Sequence, residues 1–188
     1  MILPIYVYGW PLLRKRSEDI TSDYPGLQQL IANMYETMYQ AEGCGLAAPQ
    51  IGLNIRLIVI DGSALYDEEN PDEMLKTFKK VMINPVIIER FGDEWAHNEG
   101  CLTFPKIRES VKRPMKVKIE YLDENFQPHS EEYEGMSARI IQHEYDHIEG
   151  AMFIDRISPL RRKLIAAKLN AIAKGKMDCS YKIKIYKK

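Results

Sequence analysis

Two histidines four residues apart, with a glutamate directly after the first, constrain this chain more than any other stretch of it. They lie in "IIQHEYDHIEG", residues 140–150, as His143, Glu144 and His147. A helix brings positions i and i+4 onto one face, so two imidazoles can grip one divalent cation while the neighbouring carboxylate handles protons. Histidine pairs at this spacing also occur on ordinary helices as surface residues, or as a satisfied half-buried pair, with no metal. The glutamate and the flanking Ile140, Ile141 and Ile148 tighten the pattern toward a metallohydrolase helix. Two questions follow: where the third protein ligand comes from, and which bond is broken.

The third ligand has to lie upstream. Thermolysin-like peptidases take it from a glutamate on a later helix, but no acidic residue occurs from Arg156 to Met177. Metzincins place a histidine at the end of H-E-x-x-H-x-x-G-x-x-H, and although Gly150 fits, that final position is Phe153. The upstream candidates are Cys44, His97, Cys101 and His129. His129, in the polar "FQPHS", reads as a surface residue. Cys101, in "HNEGCLTFP", follows a strand, with Gly100 permitting close backbone approach and Glu99 available to orient a ligand. Local chemistry therefore favours Cys101.

Cysteine usage fits that assignment, since three scattered thiols (Cys44, Cys101, Cys179) are no disulfide framework. A net charge of −1 gives no bulk attraction to DNA or to a membrane surface. No apolar run approaches the roughly 18 residues of a spanning helix, and "MILPIYVYGW" lacks a basic n-region and a small-residue cleavage site. The expectation is a soluble, cytoplasmic protein. Its 188 residues, 45% of them hydrophobic, suit one domain with an appendage: a catalytic domain over 1–177 and a basic tail over 178–188.

Periodicity predicts mixed structure. Leu27, Leu30, Ile31, Met34, Tyr35 and Met38 make a helical stripe over about 25–41, with Pro25 near its start and Gly43 beyond its end. Residues 55–61 and 81–91 read as strands, and 116–134 as a hairpin turning at 123–125. The acidic half of 63–80 reads as a solvated excursion with no chemistry. Ser158 and Pro159 cap a basic C-terminal helix whose apolar face is Leu160, Leu164, Ile165, Leu169 and Ile172, closed by Gly175. Tyr181, Ile183 and Ile185 then alternate with lysines, as in a half-buried edge strand.

One more stretch carries information. "GCGLAAPQIG", residues 43–52, matches a degenerate dinucleotide fingerprint, but it follows a helix and is broken by Pro49. Gly45, Ala47 and Ala48, followed by Gln50, instead suggest a loop pressed against a site, or simply a tight helix-to-strand turn. Taken together, "GCGLAAPQ", "EGCLT" and "QHEYDH" closely resemble, in this order, the three signature motifs of the peptide deformylases: G-x-G-x-A-A-x-Q, E-G-C-[LV]-S and Q-H-E-x-D-H-L-x-G. The resemblance runs from the first helix to about Asp155. Thr103 replaces the usual serine, Ile148 the usual leucine, and the 63–80 excursion is longer than in compact members.

The resemblance implies an α+β fold in which antiparallel strands wrap a central H-E-x-x-H helix, followed by a C-terminal helix and a short strand-like tail. It implies that Cys101, His143 and His147 bind one metal ion, Fe²⁺ in the native protein with Zn²⁺, Ni²⁺ or Co²⁺ as substitutes. The bond broken would be the formyl amide on the N-terminal formylmethionine of a nascent peptide. Glu144 would carry the proton, while Gln50 and the Leu102 N–H would meet the oxyanion, with Gly45 in the same catalytic set. Met136 and Ile140, one or two turns before His143, would line the methionine pocket; the spacing leaves Arg139 to either the pocket rim or solvent. Two other classes share the helix: an H-E-x-x-H metalloprotease, and a non-catalytic metal-binding protein touching the ribosome through the basic helix.

Overall fold

The computed structural model describes residues 1–69 and 72–187. In chain order its elements are β1 (Ile5–Tyr6), α1 (Leu27–Gln40), β2 (Gly45–Ala47), β3 (Leu57–Asp61), α2 (Glu73–Thr77), β4 (Lys79–Gly100), β5 (Arg108–Leu122), β6 (Pro128–Glu134), α3 (Gly135–Ile148), α4 (Pro159–Leu164), α5 (Ala166–Ala173) and β7 (Ile183–Lys184). The result is an α+β mixture of helices and antiparallel sheet.

The run "LIVI" in β3 is apolar at every position because the strand is covered on both faces. Ile58 and Ile60 point into one cluster with Met82, Val117, Ile119, Ile140 and Ile141. Leu57 and Val59 point into another with Ile31, Met34 and Met38. The sheet, ordered β2-β3-β4-β5-β6 with every neighbour antiparallel, thus packs α3 on one side and α1 on the other. Helix α1 begins two residues after Pro25, at Leu27, behind a left-handed Gly26.

The second strand outruns its sequence reading, extending 22 residues to Gly100 instead of ending near Phe91. The strand continues past Phe91 by absorbing irregularities as bulges: register shifts fall between Ile83 and Val86, Ile87 and Glu89, and Phe91 and Glu94. Pro85 sits within the first of these, where a missing N–H costs no ladder bond. Likewise β5 starts at Arg108, since 108–115 alternate exposed and buried positions that include charged side chains. This long hairpin carries Cys101 at its tip.

The C-terminal helix is also corrected. It breaks at Ile165 into α4 and α5, leaving Leu160 and Leu164 at 67% and 64% exposure while Ile165, Leu169 and Ile172 are buried. Ser158 caps it as expected, its Oγ accepting from Arg161 N at 3.2 Å. Basic residues in this stretch are partly committed to the protein itself: Arg161 forms two 2.9 Å bonds to Glu109, and Arg162 donates to the Ile154 carbonyl. The tail forms the two-residue strand β7, paired in parallel with β1.

The acidic excursion is exposed at Asp67, Glu68 and Glu69, yet Leu75 and Phe78 anchor its second half in the core. Asn70 and Pro71 of that excursion, and Lys188 of the tail, lie outside the described residues. Among the described residues, no helix is long and apolar enough to cross a membrane.

Candidate metal centre

Helix α3 sets His143 and His147 one turn apart, their ring centroids 5.3 Å from each other. Cys101 reaches them from the end of β4, with Sγ 3.2 Å from His147 Nε2. One ligating atom from each of the three lies within 4.8 Å of the others. Burial alone would raise the Cys101 thiol, but the two imidazoles outweigh it and bring the pKa down to about 5, so sulfur is a thiolate near neutrality. One thiolate and two imidazoles are a donor set suited to Zn²⁺, Fe²⁺, Co²⁺ or Ni²⁺, and the residues fit such an ion.

The other upstream candidates stand apart from this cluster. His129 bonds Asp123 at 3.0 Å and stacks on Tyr121 in the β5–β6 hairpin, half-buried where a surface position was expected. His97 packs beside Trp95 on β4. Cys44 borders the same cavity, but burial pushes its thiol up to about 12, which leaves it protonated and inert.

Glu99, 5% exposed, orients the first imidazole: His143 Nδ1 lies 2.9 Å from its carboxylate, so Nε2 is turned toward the cluster. The same carboxylate accepts from Arg113 Nε and Nη2 at 2.7 and 2.9 Å and from Arg139 Nη1 at 2.6 Å. Arg139 therefore lines the cavity wall and does not face solvent; it is 2% exposed, with its guanidinium 4.4 Å over Trp95. Arg113 continues to Asp146 at 2.7 Å, and Arg156 closes the lattice on Asp146. Arg113 and Arg156 carry no local sequence signal of this role. Asp146 had one, its place in "QHEYDH". Removing Arg113 leaves Glu99 to Arg139 and His143 and Asp146 to Arg156, so Arg113→Met costs the lost bonds without stranding a charge and is expected to destabilise the fold by about 1–3 kcal/mol. A urea-unfolding midpoint checks this, and a loss under about 1 kcal/mol contradicts it.

Glu144 is buried beside the ligands. Burial pushes its carboxyl up to about 7, and Oε2 has no hydrogen-bond partner among the described residues. A Cβ at Gly45 would stand 2.5 Å from Glu144 Oε1, and one at Gly43 would stand 2.9 Å from Leu102 Cδ1. Both glycines let the 43–52 loop press against the site. Gly45→Ala should displace the carboxylate, and since 1 Å of misplacement can cost about 10²-fold, turnover should fall by that order with metal retained. Metal content and steady-state rates check this together.

Gln50 is 1% exposed and its amide has a determined direction. Ala47 N–H donates to Gln50 Oε1 at 2.8 Å, which only an oxygen can accept. The NH₂ consequently faces Thr103 Oγ1 at 3.3 Å and Cys101 Sγ at 3.6 Å. Leu102 N–H, next along the chain from Cys101, has no backbone acceptor among the described residues. A cavity of about 740 Å³ opens over this group, bordered by Met136 and Ile140 on α3 and by Cys179 and Tyr181 of the tail.

An α+β fold that gathers a thiol, two imidazoles and a buried carboxylate under one cavity defines a candidate metal centre of the H-E-x-x-H kind. Comparison with known proteins narrows the class. A family model described as polypeptide deformylase matches residues 2–163. The chain is 52% identical over 188 residues to the peptide deformylase of Christiangramia forsetii, covering 98% of this chain and 96% of that protein. Identity is 53% to the Flavobacterium johnsoniae peptide deformylase, with the same coverage. A crystal structure of a peptide deformylase from Legionella pneumophila superposes with a TM-score of 0.80 at 36% identity, covering 94% of this chain and 98% of that one. The chain belongs to the polypeptide deformylase family.

Proposed function

We propose that the protein hydrolyses the formyl amide of N-terminal formylmethionine on nascent peptides, releasing formate. The observation that carries this reading is Gln50: its amide is locked by Ala47 N–H so that its donors face the ligand cluster, an arrangement that metal binding alone does not require. Cys101, His143 and His147 would hold one divalent ion, which would supply Lewis-acid activation of water near neutral pH. Glu144, with its carboxyl raised to about 7, takes the proton of the attacking water and delivers one to the departing amine. As negative charge builds on the formyl oxygen, Gln50 Nε2 and Leu102 N–H donate to it. Met136 and Ile140 give the methionine side chain an apolar wall.

In this reading the antiparallel strands wrap the histidine-bearing helix within a catalytic domain of residues 1–177, followed by the 178–188 tail. The protein works in the cytoplasm, where the acid-free stretch from Arg156 to Met177 offers a basic face to the ribosome. Formate release from a formyl-methionyl peptide, set beside cleavage of an unfolded protein, tests the activity. Proteolysis without formate would replace the reading with a metalloprotease.

The ion is read as Fe²⁺ from the family resemblance and not from the ligands, which at equal availability would favour zinc over iron. A Cys101 thiolate beside ferrous iron is open to oxidation. Activity should decay in air and persist after exchange to Ni²⁺ or Co²⁺, with metal analysis of anaerobically purified protein as the control. A zinc-loaded enzyme that is fully active and indifferent to oxygen as isolated overturns the iron assignment.

A further inference from the structure

The tail returns to the metal centre, which its sequence gave no reason to expect. From Gly175 the chain crosses the cavity wall at Asp178, Cys179 and Ser180, and Tyr181 Oη donates to the Leu102 carbonyl at 2.6 Å. Leu102 directly follows the ligand Cys101, and Tyr181 lies 79 positions away from it in sequence. We propose that Tyr181 is a positioning residue for catalysis, holding the Cys101–Thr103 segment so that the Leu102 N–H faces the developing oxyanion. The inference rests on the deformylase reading, which gives that N–H its role.

Three observations support it. The segment is held from both sides: Tyr8 N–H donates to the Thr103 carbonyl at 3.0 Å, while Tyr181 takes the carbonyl one residue earlier. With Phe104 N–H on the Cys101 carbonyl at 2.8 Å, three successive carbonyls of the ligand loop are bonded, which fixes the orientation of the peptide units between them. The tail is itself anchored where Tyr181 needs it. Lys106 pairs with Asp178 at 2.9 Å before the tyrosine, and after it β7 pairs with β1 while Trp10 Nε1 donates to the Lys184 carbonyl at 2.9 Å. Finally, Tyr8 lies two residues past β1, so the strand that receives the tail leads directly into the second clamp. Burial pushes the Tyr181 phenol well above its ordinary range, so it keeps its donor proton throughout the neutral range.

The test is Tyr181→Phe in the full-length, metal-loaded protein, since it removes one oxygen and leaves the ring against the cavity wall. Tyr35→Phe is the matched control, because Tyr35 Oη also donates to a backbone carbonyl, that of Lys80 at 2.9 Å, away from the metal cluster. One hydrogen bond corresponds to roughly two- to tenfold in rate. Tyr181→Phe is expected to lower kcat by that factor on a formyl-methionyl peptide, with KM and metal content unchanged. Tyr35→Phe should lower the thermal midpoint comparably and leave kcat alone. Equal kcat in the wild type and Tyr181→Phe overturns the proposal, as does an equal kcat loss in both variants, which would make the hydroxyl a stability element only. A wild type that releases no formate overturns the deformylase reading instead, so the two failures are separable.

Discussion

Glu144→Ala is expected to retain its metal and to lose deformylation by at least roughly 10²–10⁴-fold, the range assigned to general acid–base catalysis. The carboxylate is buried next to His143 in sequence, yet it is absent from the cluster formed by Cys101, His143 and His147, so occupancy and turnover should separate. Glu144→Gln is the sharper variant. It keeps the side-chain volume that Gly45 packs against and removes only the ability to take a proton. Rates at matched metal content, read with a formyl-methionyl peptide, decide the matter. Near-normal turnover in a metal-loaded mutant would sink the role of Glu144 as proton carrier.

Gln50→Ala should lower kcat by roughly 10²–10³, or about 2.7–4 kcal/mol, the loss seen when one oxyanion donor is removed. KM should move much less, because the contact strengthens mainly in the transition state. The alanine variant also leaves the buried Ala47 N–H without its acceptor, at a stability cost of about 1–3 kcal/mol. Gln50→Glu separates the two effects. One carboxylate oxygen can still accept from Ala47, while the other replaces the NH₂ facing Cys101 Sγ and sets negative charge beside both the thiolate and the forming oxyanion. Its kcat should fall at least as far as that of the alanine variant. Wild-type kcat in either mutant returns Gln50 to the role of a turn residue.

Much of this was legible because it is local. The i, i+4 spacing of His143 and His147 needs only a helix, and the continuous apolar run of β3 needs only two covered faces. Gly45, Ala47 and Ala48 suggested a close approach, although not that Glu144 would be the neighbour of Gly45; that Gly43 lies against Leu102 was not foreseen. The misreadings arose where local pattern and tertiary context disagree. The strand read over 81–91 stops at Phe91, yet the long hairpin carries it on through a bulge, and Leu160 and Leu164 continue a helical stripe that the bend at Ile165 turns into solvent.

The sequence by itself marked His143, Glu144 and His147 through their spacing on one helix and favoured Cys101 on local chemistry, while Gln50 and the Leu102 N–H were named only through the resemblance of three ordered motifs. The tertiary structure alone decided how they are held. Glu99, Arg113, Arg139 and Asp146 come from β4, β5 and α3 to form one buried charge lattice, and Tyr181 reaches the ligand loop from the far end of the chain. Such contacts join groups tens of residues apart, and only burial, by removing the water that would otherwise satisfy each charge or carbonyl, forces the partners to find one another.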